Sequence, residues 1–110
     1  NKGKTEMTLE ELKIKLTSSG LPVAYRSWPE NAAPTLPYLV YYEDSVETLA
    51  ADGAVYYEIR HIVVELYSKT KNMPAETALE KALQGLHWKK TNEQYLDTEH
   101  MLMCSYEFEV

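Results

Sequence analysis

The longest β signal in the chain is Leu36 to Lys69, LPYLVYYEDSVETLAADGAVYYEIRHIVVELYSK, in which two β-favouring runs flank Asp52-Gly53. That dipeptide suits a tight hairpin turn because both of its residues tolerate positive φ. A two-residue turn there sets Leu39 opposite Leu66, Tyr41 opposite Val64, Asp44 opposite His61 and Ser45 opposite Arg60. Side chains alternate along a strand, so Leu39, Tyr41 and Glu43 share one face with Ile62, Val64 and Leu66. Tyr38, Val40, Tyr42 and Asp44 share the other with Tyr67, Glu65, Val63 and His61. The first face is apolar, and the second is amphipathic and rich in tyrosine.

Around this hairpin the pattern predicts two helices and three shorter strands. Met7-Thr8-Leu9-Glu10-Glu11-Leu12 is a helix start: Thr8 caps Glu11, Glu11 reaches back, and Met7 staples onto Leu12. Leu9, Leu12 and Leu16 make the apolar stripe, and Gly20 with Pro22 ends the element. Val23–Trp28 reads as a short strand, and Pro29, Pro34 and Pro37 punctuate the loop that follows. The second helix has Pro74 in its first turn and repeats Ala75, Ala78, Leu79, Ala82, Leu83 and Leu86 at helical spacing. Trp88–Leu96 is a polar edge strand. In the last strand Leu102, Cys104, Tyr106, Phe108 and Val110 alternate as the core parity.

The expected fold is therefore α+β: a mostly antiparallel sheet of about five strands, order α-β-β-β-α-β-β, with both helices packed on one face and a long central hairpin. Residues 1–7 read as a flexible N-terminal segment and 8–110 as a single domain. Strands usually run about five or six residues, and those of the hairpin exceed what two short helices can cover. Its end, with Leu49, Ala50, Ala51 and Ala54 beside Asp52-Gly53, then either projects as an arm or forms a loop.

Composition narrows the function classes. The 110 residues carry 17 acidic against 11 basic side chains, a formal net charge of -6, which opposes specific nucleic-acid binding because phosphate contacts need a concentrated positive surface. His87-Trp88-Lys89-Lys90 is the one compact basic cluster, and the end of the second helix is its simplest place. A single cysteine, Cys104, forms no internal disulfide, and no stretch has the length and apolarity of a membrane span. The residue types that make metal sites, His61, His87, His100 and Cys104, lack ligand-pair spacing, so no metal is expected. There is no G-x-S-x-G elbow and no glycine-rich phosphate loop, so neither catalytic nor cofactor-binding residues are assigned. What remains is a protein surface. Tyr38, Val40, Tyr42, Val63 and Tyr67 on the second hairpin face, with Leu49, Asp52 and Gly53 at the hairpin end, are the candidate interface residues, since tyrosine buries a large ring while its polar tip stays satisfied. Cover for this face from within the same chain is the competing reading.

Taken together, TLEELKIKL followed by GLPVAY, PYLVYYED, YYEIRHIVVELYSKTK, the helix PAETALEKAL and the ending SYEFEV resemble the tail-completion, tail-terminator-like structural proteins of tailed bacteriophages and prophages. The resemblance spans nearly all of Met7 to Val110. It implies a non-enzymatic protomer that assembles into a ring, commonly a hexamer, at the head-proximal end of the tail. Its partners would be its own copies, the tail-tube protein and head-tail connector proteins. It would act in the host bacterial cytoplasm during assembly and in the virion tail, without membrane contact. The alternative from another class is a monomeric ferredoxin-like module binding a small molecule or peptide.

Overall fold

The computed structural model describes residues 7–29, 31–51 and 55–110, with the side chains of 49–51 and 55–57 left outside that description. The elements run α1 (Leu9–Thr17), β1 (Val23–Tyr25), β2 (Tyr38–Ala51), β3 (Val55–Ser68), α2 (Met73–Ala82), β4 (Lys89–Leu96) and β5 (Met101–Glu109). This is the expected α+β order. The five strands form one sheet, β1-β2-β3-β5-β4, in which β1 runs parallel to β2 and every other pair is antiparallel.

Local chemistry explains where the elements begin and stop. At α1 the capping box is complete: the Glu11 amide donates to Thr8 Oγ1 and the Thr8 amide to Glu11 Oε1, both at 3.0 Å. At α2 Asn72 Oδ1 accepts from the Ala75 amide at 3.0 Å, and Gly85, at φ +96°, takes the chain out of the helix through a conformation that costs glycine little. The expected strand at 23–28 is shorter than its alternation suggested. Arg26 adopts φ 70°, which ends β1 at Tyr25 while its amide still donates to the Tyr41 carbonyl at 2.8 Å. The basic stretch at 87–90 is likewise not a helix end, because Lys89 and Lys90 open β4.

Both helices cover one face of the sheet. Leu12 and Leu16 of α1 and Leu79 of α2, with Leu83 at its C-terminal cap, meet Leu39, Tyr41, Ile62, Val64, Leu66, Tyr106 and Phe108 in a single cluster. Met7 packs against it too; the rest of the expected N-terminal segment, residues 1–6, lies outside the described residues.

The hairpin register follows expectation as far as Glu43↔Ile62 and then shifts. Asp44 is an extra residue, so Ser45 faces His61 and Val46 faces Arg60, correcting the pairs expected from an unbroken ladder. The last pair is Ala51↔Val55, and the proposed Asp52-Gly53 turn lies outside the described residues. Among the described residues, β2 and β3 pair only with each other beyond the Arg60–Val110 backbone bonds, because β1 reaches β2 only at residues 39–41 and β5 reaches β3 only at 61–68. They form a two-stranded ribbon that extends past the body. The molecule is accordingly elongated, with extents of 51 × 26 × 22 Å and a radius of gyration of 15.3 Å, where a compact chain of this length would have about 13 Å.

Candidate functional site: the outer sheet face and the hairpin ribbon

The face away from the helices carries Tyr38, Val40, Tyr42, Val63 and Tyr67, as the alternation predicted. Three of these tyrosines have partners in the chain that the sequence did not disclose. The Tyr42 and Tyr67 hydroxyls donate to the two carboxylate oxygens of Glu65, at 3.2 and 2.6 Å. Tyr38 packs edge-on to Trp28 at 5.8 Å and beside Tyr67 at 5.6 Å. Val40 and Val63 are 6% and 7% exposed, so these two form the floor of the face and are already covered by their neighbours. Leu49 is in β2 with its side chain outside the description, and Asp52 and Gly53 lie outside the described residues.

Glu65 ties the face together electrostatically. Burial, and then the charge and hydrogen bond of Glu65, push the Tyr42 phenol up to about 12. Burial and the Glu65 hydrogen bond also raise Tyr67. Replacing Glu65 by Gln removes the charge and keeps an acceptor, so the Tyr42 phenol is expected to ionise at lower pH, though above the unperturbed tyrosine range because its burial persists. Near-ultraviolet absorbance titration of Glu65→Gln, with Tyr42→Phe to assign the signal, measures this.

At one end of the face the sheet becomes the floor of a groove of about 510 Å³. The segment carrying Arg26, Trp28 and Ala33 walls it on one side, and Leu96, Glu99 and Met101 of the β4–β5 turn wall it on the other. Trp28 Nε1 is buried there and has no hydrogen-bond partner among the described residues, a state that costs about 1–3 kcal/mol. At the other end, three consecutive ribbon pairs, Leu49↔Tyr57, Ala50↔Tyr56 and Ala51↔Val55, consist entirely of apolar or aromatic residue types. Val46, nearer the body, is 46% exposed.

A second polar cluster lies on the helix side. Glu76 of α2, Glu93 of β4 and Cys104 of β5 bring one ligand-type atom each within 4.8 Å of one another, a grouping that neither the histidine positions nor any spacing signalled. Two lysines already neutralise it. Lys71 Nζ is 3.0 Å from Glu76 and 2.8 Å from Glu93, and Lys90 Nζ is 2.8 Å from Glu76. A metal ion would have to displace both ammonium groups, and burial raises the Cys104 thiol away from the thiolate that ligation needs. His100 sits in the turn that precedes β5, at φ 55°.

Glu76 is 3% exposed. Burial by itself raises its carboxyl, but hydrogen bonds from Lys90 and Lys71 outweigh that and hold it below the usual carboxylate range. A depressed folded-state pKa means the stabilisation is present above the unfolded value and is lost as pH falls through the folded one. Glu76→Gln is therefore expected to cost about 1–3 kcal/mol at neutral pH, with the deficit against the parent protein shrinking below about pH 4. Urea denaturation of both proteins across that range checks it.

No family model and no curated protein matches the chain. Among the described residues no helix is long and apolar enough to cross a membrane.

Proposed function

We propose that this chain is a non-enzymatic structural subunit that completes a bacteriophage tail, closing the head-proximal end of the tail tube as a ring of its own copies. Its other partners are the tail-tube and head-tail connector proteins. The observation that carries the reading is the ribbon. Two-stranded hairpins are at best marginal alone in water, and exposed strand edges invite pairing. A ribbon whose outer pairs are all apolar or aromatic in type, held away from its own core, suits burial against another protein molecule. The resemblance of the whole chain to tail-completion proteins supplies the biological setting, the assembling virion in the host cytoplasm and then the tail. The acidic balance suits a ring through which DNA passes without being gripped.

The alternative, a monomeric ferredoxin-like binding module, fits less well. That arrangement runs β-α-β-β-α-β, whereas this chain runs α-β-β-β-α-β-β. Incubating the purified protein with polymerised tail tubes and imaging them by electron microscopy tests the proposal. Density capping one end of the tubes, with arrest of their growth, is expected. Bare ends and an unchanged length distribution would overturn it.

A further inference from the structure

The ribbon and the aromatic groove lie at opposite ends of the same hairpin. The groove floor is the pair Tyr38↔Tyr67, the first pair of the β2–β3 ladder, and the ribbon ends at Ala51↔Val55, the last. At about 3.3 Å per residue these are on the order of 40 Å apart, so no protomer can place its ribbon in its own groove.

We infer that the ribbon of one copy docks in the Trp28–Tyr38–Tyr67 groove of the next. This rests on the ring proposed above and names the two surfaces that build it. Shape is the first argument. The ribbon is only two strands wide, and the groove is a shallow opening between the segment carrying Arg26, Trp28 and Ala33 and the β4–β5 turn. Chemistry is the second. The ribbon brings apolar residue types at its outer pairs and exposed Val46, and the groove offers Trp28, Leu96 and Met101 above an aromatic floor.

Charge is the third argument. The groove rims carry Arg26 and Glu99, both exposed and neither within ion-pairing distance of an opposite charge among the described residues. The ribbon carries exposed Glu47 and Glu58 on adjacent strands, Glu58 in a solvent-exposed pair with Arg60 at 3.4 Å and Glu47 3.9 Å from His61, contacts weak enough to exchange for a cation of another chain. A carboxylate of the ribbon therefore has Arg26 to meet. Like-with-like contacts are poorer on both counts. Ribbon against ribbon brings Glu47 and Glu58 of both copies together and leaves Arg26 without a partner, and groove against groove leaves both ribbons uncovered. A contact between two different patches of identical chains is heterologous, and such contacts propagate head to tail until rotation closes them into a ring.

Cross-linking decides it. Thr48 on the ribbon and Ala33 on the groove wall are both exposed, so cysteine at either should leave the fold intact, and the native Cys104 is buried. Mixing a Thr48→Cys chain with an Ala33→Cys chain under oxidising conditions is expected to give the mixed disulfide in preference to either symmetric product. A chain carrying both cysteines should give a ladder of oligomers, and adding Met101→Arg should reduce that ladder at least tenfold with the circular dichroism spectrum unchanged. Absence of the mixed product from folded chains, or a predominant Thr48→Cys homodimer, would overturn the inference. The same samples go to the tube-capping assay. A ladder without capping would sink the tail reading and leave the docking intact, whereas capping without the mixed product would do the reverse.

Discussion

A chain in which residues 48–58 are replaced by Asn-Gly is expected to keep its thermal transition within about 5 °C of the parent and to lose oligomer formation and tube capping altogether. The replacement joins Glu47 to Ile59, which face each other in the ladder, so a two-residue turn fits the existing register. Among the described residues, every member of the buried cluster lies outside the excised segment. The ion pair lost with it among the described residues, Glu58 to Arg60 at 3.4 Å, is exposed enough that its removal costs little. Differential scanning calorimetry and sedimentation velocity read the two halves separately. A chain that fails to fold would show that the ribbon belongs to the core and would remove the physical basis of the assembly proposal.

The second large effect is expected at Tyr106, which is fully buried at 0% exposure. Its ring meets Trp88 edge-on at 5.5 Å and the Lys90 ammonium at 5.6 Å, and its hydroxyl donates to Glu80 Oε2 at 2.7 Å. Burial first, and the Glu80 hydrogen bond second, raise this phenol well above the usual tyrosine range, so it stays a donor at any ordinary pH. Truncation to alanine removes an aromatic ring from a close-packed interior and is expected to cost about 3–5 kcal/mol, a large share of the roughly 5–15 kcal/mol by which such domains are stable. Tyr106→Phe keeps the ring and loses the hydrogen bond to a partly solvated carboxylate, with an expected cost of about 1 kcal/mol. Urea denaturation at a common pH measures both. Equal losses would place the stabilisation in the hydroxyl rather than in the packing.

Much of the fold was legible because its signals are local. The capping box at Thr8 and Glu11, the helical spacing of Ala75, Leu79 and Leu83, and the alternation of Cys104, Tyr106, Phe108 and Val110 are local signals that reappear in place. Leu102, expected on the same parity, is half-buried and outside the core cluster. The misread strand end at Arg26 has no comparable local signal, since its positive φ belongs to a non-glycine residue held by the Tyr41 carbonyl on a neighbouring strand. The hairpin register matches strict alternation up to Glu43, and the bulge at Asp44 shifts every pair beyond it by one. The inserted residue inverts the faces of β2 beyond it, but Ser45, Val46, Glu47 and Thr48 carry only one apolar side chain among them, too little alternation for the pattern to reveal the inversion.

The candidate site divides in the same way. Period-two alternation placed Tyr38, Val40, Tyr42, Val63 and Tyr67 on one face. It said nothing of Glu65 as their common acceptor, of Trp28 and Tyr38 as one wall and floor of a groove, or of the lysines that hold Glu76.

By itself, then, the sequence determined the order of elements, the apolar face that makes the core, and a hairpin longer than its helices can cover. These depend on residue-by-residue preferences and on spacing within a segment. Only the tertiary structure decided where the surplus hairpin goes and what it leaves behind: a ribbon unpaired beyond Arg60, a groove at the far end of the same two strands, and buried charges neutralised by residues from other elements. Those features depend on distances between segments remote in the chain, which no periodicity encodes.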